Sequence, residues 1–404
     1  MRDRCSAVGF GMACLTALGL GVSAAFTQPA PPDSLGDSGM SEPAGAVGSR
    51  DIDEGYLESL LLRSCPPGVV WQEPEALSVR VRSVPLQVLN PMRRSLGMLT
   101  FVAGFHLTSV DSRFGGFSGL DLQNAKRLLT VTDAGDLIWL DLADDGMTPV
   151  RAHIGRLRDS RGAAFADKSE ADAEGIAVNG DVAFISFEGM HRVLGYNIGA
   201  CGSSARGVTV VDTPTFADAF SRAGLQAGPN TGAEGLAVSA DWKLFIGLET
   251  RNGQSSFISA RPFHALPEFD MPIGYGAPDL VGLDLLPAGE GGRDMRLFSL
   301  HRSSDVFARN AISLVETYFE ARPEPAPTPG TQDLSDHRSG HPGYALKTSR
   351  VLAEMNLLVT IDNFEGLAVR SLPDGGVRIF LISDDNFSAR QRTLLMIYDL
   401  RSPG

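Results

Sequence analysis

One short motif dominates this sequence: a small or acidic residue, then Gly, then a run of apolar residues. It occurs as Ser118-Gly119-Leu120-Asp121-Leu122, Glu174-Gly175-Ile176-Ala177-Val178, Glu234-Gly235-Leu236-Ala237-Val238 and Glu365-Gly366-Leu367-Ala368-Val369, with a weaker copy at Val281-Gly282-Leu283-Asp284-Leu285. Most copies are followed by a turn and a second apolar run: Val182–Phe187, Leu244–Leu248, Leu297–Leu300 and Val377–Ile382. Units that recur in this way cannot bury their apolar faces alone and must stack on one another. About four short strands fit each interval, which predicts an all-β chain folded as a β-propeller with five or six four-stranded blades. A β-sandwich is the other all-β arrangement, but it has no reason to repeat a Gly-apolar motif. The 45 Gly and 24 Pro are scattered and not periodic, as many short strands and turns require.

The ends of the chain read differently. Arg2 and Arg4 precede an almost uncharged apolar stretch from Cys5 to Ala25 with small residues near its end, so residues 1–25 read as a secretory signal peptide, with a membrane anchor as the alternative. Residues 26–50, rich in Pro, Gly, Ser and Ala, read as a flexible linker. Residues 51–76 form an N-terminal extension in which Asp51–Arg63 suits a short amphipathic helix, and residues 77–404 hold the propeller. The segment Leu77–Ser109 is expected to supply outer strands for the last blade, which would close the ring between the termini. Residues 322–346 read as a Pro-rich surface insertion.

Export leaves two cysteines, Cys65 and Cys201, in an oxidising compartment, periplasmic or extracellular. Their spacing leaves open whether they pair. A formal net charge of −13 excludes nucleic acid as a natural partner, and no membrane insertion is expected once the signal is cleaved.

In a propeller blade the innermost strand and its neighbour run antiparallel, so residues just before the first and just after the second emerge on one face. Ser118, Glu174, Glu234 and Glu365 stand before first strands. Asp133, Glu188, Glu249 and the pair Asp384 and Asp385 stand after second strands. The sequence therefore predicts an acidic ring at one mouth of the central channel. Converging carboxylates repel one another unless a cation joins them, and all-oxygen ligation points to Ca2+ held by Asp133, Glu174, Glu188, Glu234, Glu249, Glu365, Asp384 and Asp385. Glu174, Glu234, Glu365, Asp384 and Asp385 are also the candidate catalytic groups. The alternative is that the repeat Glu side chains only accept hydrogen bonds from amides of neighbouring blades. The fourth repeat lacks the Glu and carries His301 and Arg302 after its second strand, which predicts either a basic patch for binding a small anionic or ester substrate or an ordinary salt bridge to a neighbouring carboxylate. Ser118 misses the nucleophile elbow because Leu120 stands where a Gly is needed, and His337 and His341 lack helical support for a zinc site.

The run Phe114-Gly115-Gly116-Phe117-Ser118-Gly119-Leu120, the Glu-Gly copies, and Asn363-Phe364-Glu365-Gly366-Leu367-Ala368 with Ser383-Asp384-Asp385-Asn386-Phe387 resemble the bacterial phytase-like domain family, described as having esterase-like activity. The resemblance spans roughly residues 100 to 400. It implies a propeller, export, and metal-dependent hydrolysis of phosphate or carboxylic esters, and it assigns no catalytic set. A calcium-dependent lactonase or carboxylesterase and a non-enzymatic binding or scaffold propeller are the other functions this pattern allows.

Overall fold

The strand runs Asp136–Leu142, Val182–Phe187 and Val377–Asp384 are buried on almost every residue, so each needs an apolar partner on both faces. The fold supplies those partners by setting antiparallel sheets side by side around an axis. The computed structural model describes residues 54–222, 232–248, 257–259, 264–265, 279–303, 311–321 and 344–401. Among them are five sheets, and the architecture is an all-β propeller with few helices.

The innermost strands are Phe117–Asn124, Ala173–Asn179, Ala233–Val238, Asp279–Ala288 and Asn363–Ser371, each the edge of its sheet. Each touches the next, and the fifth returns to the first, so the ring is closed. Five apolar cores fill the gaps between neighbouring sheets. One joins Leu129, Val131 and Trp139 of the first sheet to Ile176, Ile185 and Phe187 of the second, and another joins Phe380 and Ile382 of the fifth to Phe117 and Leu120 of the first. The motif glycines sit where the innermost strands come closest. A Cβ on Gly119 would lie 2.7 Å from the Ile176 amide nitrogen, one on Gly282 would lie 2.6 Å from the Glu365 carbonyl oxygen, and one on Gly366 would lie 2.7 Å from the Leu120 Cβ. The repeat therefore carries Gly because the axis has no room for a side chain there.

The ring closes between the two ends of the chain. Leu99–Ser109 pairs with Thr393–Leu400 in the fifth sheet, Val79–Ser83 adds an outer strand there, and Glu75–Leu77 joins the first sheet instead. Before these strands the helix Glu54–Ser64 lies against the second sheet, with Leu60 buried between Gly195 and Val210. Ser64 ties it down: its hydroxyl donates to the Arg206 carbonyl at 2.7 Å and accepts from the Asn197 amide at 2.8 Å. Cys65 and Cys201 form a disulfide, with their Cα atoms 5.7 Å apart. No helix of the described residues is long and apolar enough to cross a membrane. The signal, the linker and most of the 322–346 insertion, with His337 and His341, lie outside the described residues.

Candidate metal centre

Strand register puts the mouth where the sequence places it. Phe117 pairs with Thr132, Ala173 with Phe187, Ala233 with Leu248, Asp279 with Arg302 and Asn363 with Asp384, so first strands begin and second strands end on one edge of the ring. In every sheet a β-bulge falls at the motif residue before Gly: Ser118, Glu174, Glu234, Val281 and Glu365. A bulge breaks the alternation of a strand and re-aims one side chain. Here it falls on Glu174, Glu234 and Glu365 in three of the sheets, while the following Gly stays packed at the axis.

Electrostatics shows how closely the re-aimed groups sit. Burial pushes the Glu174 carboxyl well above its ordinary range, and the charges of Glu234, Glu365, Asp172 and Glu188 push it further. Burial first and Glu365 second raise Asp384 to about 7. Glu365 is also raised by burial, although Arg302 and Asn363 pull it back. Asp172, Glu174 and Glu188 each offer one oxygen, and these oxygens all lie within 4.8 Å of one another. The Glu188 amide donates to the Asp172 carbonyl at 2.8 Å, which holds two of the three side by side. Oxygens so spaced can share one calcium ion, whose Ca–O distances are about 2.3–2.6 Å.

Asp172 is absent from the sequence-derived set, because it caps the short helix ahead of the strand and lies outside the repeated motif. Among the described residues, two cations also stand at the mouth. Lys168, in the short helix Lys168–Ala171, places Nζ 2.8 Å from Asp133 and 3.7 Å from Asp172. Arg302 donates to Glu365 and to Asn363, and the Asn363 amide donates to Glu365 at 2.8 Å.

His301, Arg302 and Asp385 each have internal partners. His301 is fully buried, with Nε2 2.8 Å from the Ser299 hydroxyl, and burial drives its pKa down to about 3, so it is neutral and offers an anion nothing at the mouth. Arg302 is turned onto Glu365 as an internal counter-ion, which is the salt-bridge alternative and not the open basic patch. Asp385 accepts hydrogen bonds from the Gly116 amide (3.1 Å), the Phe387 amide (3.0 Å) and the Thr393 hydroxyl (2.9 Å), so its carboxylate anchors the turn entering the first sheet, and its charge also helps to raise Asp384. That turn needs Gly116, which has a φ of +61° and leaves no room for a Cβ against Asp133 and Phe387. Glu249 lies outside the described residues.

Clasping neighbouring blades through amides falls to residues further down the channel. Asp121 accepts from the Val178 amide and Asp284 from the Val369 amide, each at 2.6 Å. Both carboxylates are buried, and burial raises Asp121 to about 7.

Residues 112–387 match the family described as Phytase-like, esterase-like activity of phytase. The chain belongs to this family. Among curated proteins none matches. Solved structures similar to this phytase-like chain include a PQQ-bound aldose sugar dehydrogenase from Streptomyces coelicolor, at 11% identity and a TM-score of 0.37, covering 80% of this chain and 99% of that one. A glutaminyl cyclase from Myxococcus xanthus is 12% identical with a TM-score of 0.35, covering 82% and 100%. A Bacteroides thetaiotaomicron protein of unknown function is 8% identical with a TM-score of 0.33, covering 81% and 83%.

Proposed function

We propose that this phytase-like chain is an exported five-bladed propeller that hydrolyses esters, phosphate esters first, with calcium held at the channel mouth. The observation that carries the reading is the convergence of Asp172, Glu174 and Glu188 within 4.8 Å. The donor set is all carboxylate, which suits a hard divalent ion. Bound there, calcium would polarise a phosphoryl or carbonyl oxygen and a nearby water.

The remaining residues of the mouth have chemistry of their own. Asp384, raised to about 7, exchanges its proton near neutral pH, as a general acid or base must. Glu365 and Glu234 add their charges to the mouth, where Glu174 feels both, and Arg302 with Asn363 fixes the Glu365 carboxylate in place. The Cys65–Cys201 disulfide supports delivery to the periplasm or the medium, where such bridges persist.

The test is an assay of the purified protein on nitrophenyl phosphate, nitrophenyl acetate and a simple lactone, each in calcium and in chelator. Turnover of the phosphate ester in calcium and its loss in chelator is the expected result. Turnover of the acetate or lactone alone would move the assignment to a carboxylesterase or lactonase. Turnover of none would leave a binding or scaffold propeller and overturn the proposal.

A further inference from the structure

The two cations at the mouth are held in different ways. Arg302 is half-buried and locked between Glu365 and Asn363. Lys168 has a side chain 65% exposed and reaches across a gap, touching Asp133 of the first sheet and approaching Asp172 of the second. Its helix is four residues long, capped by Asp167, whose side chain accepts from the Glu170 amide, and it leads directly into Asp172. The ammonium is therefore tethered four residues from a carboxylate of the triad, on a stem long and flexible enough to leave it.

We infer that Lys168 is an internal stand-in for the divalent ion: its ammonium neutralises Asp172 and Asp133 when the mouth holds no metal, and an arriving calcium ion must displace it. The inference rests on the metal reading of Asp172, Glu174 and Glu188. An ammonium 3.7 Å from Asp172 is too close for a divalent ion to bind the same carboxylate without strong repulsion between the two cations. Three clustered carboxylates attract a divalent ion more strongly than a single ammonium, so the exchange favours calcium once its concentration is sufficient, and Lys168 sets that concentration. Displaced from Asp172, Nζ still has Asp133 at 2.8 Å, which keeps a positive charge at the rim where an anionic substrate would enter. This lysine would then take the part that the sequence suggests for His301 and Arg302.

Calorimetric titration of calcium chloride into wild type, Lys168→Met, Lys168→Gln and Lys168→Arg tests this, with thermal melts of each protein in chelator. Removing the competing charge should tighten calcium binding roughly tenfold in the Met and Gln variants, while the Arg variant stays near wild type. In chelator the Met and Gln variants should melt below wild type, because the acidic pair has lost its counter-ion. Calcium affinity that is unchanged or weaker in both neutral variants, with wild type still binding, would overturn the role of Lys168 and leave the metal site standing. No calcium binding by any of the four proteins would overturn the metal reading and the inference together.

Discussion

Replacing Cys65 and Cys201 together by serine should lower stability by about 4 kcal/mol, because the bridge closes a long loop in the unfolded chain. The two cysteines are 136 residues apart in sequence. In the chain-entropy account a loop of this order is worth about 4–5 kcal/mol. The bridge also works beside backbone ties of the same segment. The Gln72 amide donates to the Cys201 carbonyl at 3.1 Å, the Ser203 amide to the Gln72 carbonyl at 3.0 Å, and the Arg206 amide to the Ser64 carbonyl at 2.9 Å. With the disulfide gone, these bonds, the two made by the Ser64 hydroxyl, that of Tyr56 to the Thr209 carbonyl and the burial of Leu60 still hold the N-terminal helix on the second sheet. Guanidinium unfolding of the double variant, compared with wild type with and without reductant, measures the effect. Reduced wild type should coincide with the variant, and a loss below about 1 kcal/mol would show that the unfolded chain is not limited by this link.

The second large effect is expected at Arg302. Replacing it by Met removes the guanidinium from Glu365, a buried carboxylate that also feels Asp384 and Asp133. Breaking a buried pair by deleting one partner leaves an uncompensated charge, and about 3 kcal/mol is expected for one that is mostly but not wholly buried. The sign of the coupling identifies the cause. Adding Glu365→Gln to Arg302→Met should recover at least about 1 kcal/mol, because the stranded charge is then gone. Chemical unfolding of both single variants and the double variant in chelator gives the cycle. Additive losses would show that Arg302 acts through packing and not as the counter-ion of Glu365.

What could be read from the sequence divides along physical lines. The motif glycines were legible because steric crowding at the axis admits no other residue, and a constraint of that kind repeats in every blade. The acidic mouth was legible because Glu174, Glu234 and Glu365 occupy equivalent positions, which strand direction alone brings to one edge. Closure by Leu99–Ser109 followed from the unpaired apolar runs near the N-terminus. What was not legible depends on local backbone geometry. The sequence Ser383-Asp384-Asp385 offers two adjacent acids, and only the turn geometry decides that Asp384 faces the mouth while Asp385 caps the Gly115–Gly116 turn. His301 and Arg302 are likewise neighbours on one strand with opposite-facing side chains, so one is buried and neutral and the other meets Glu365. Asp172 and Lys168 precede a repeat unit and belong to no motif, so the pattern that revealed Glu174 carried no information about them. Cys65 could not be paired from spacing, because a long loop leaves the distance between its ends undetermined.

The claim at the centre of this account is that a divalent ion joins the carboxylates of the mouth, and melting wild type and Glu174→Gln in calcium and in chelator tests it most directly. Glu174 suffers the charges of Glu234, Glu365, Asp172 and Glu188 when no metal is present, so neutralising it should stabilise the protein in chelator. In calcium the same change removes a ligand. A bound ion stabilises the native state by about 2.7 kcal/mol at a hundredfold excess over Kd, and that increment should shrink in the variant. The account therefore predicts opposite signs: Glu174→Gln melts above wild type in chelator and gains less from calcium. Equal displacement of the two melting curves in both conditions, or no response of wild type to calcium, would contradict it.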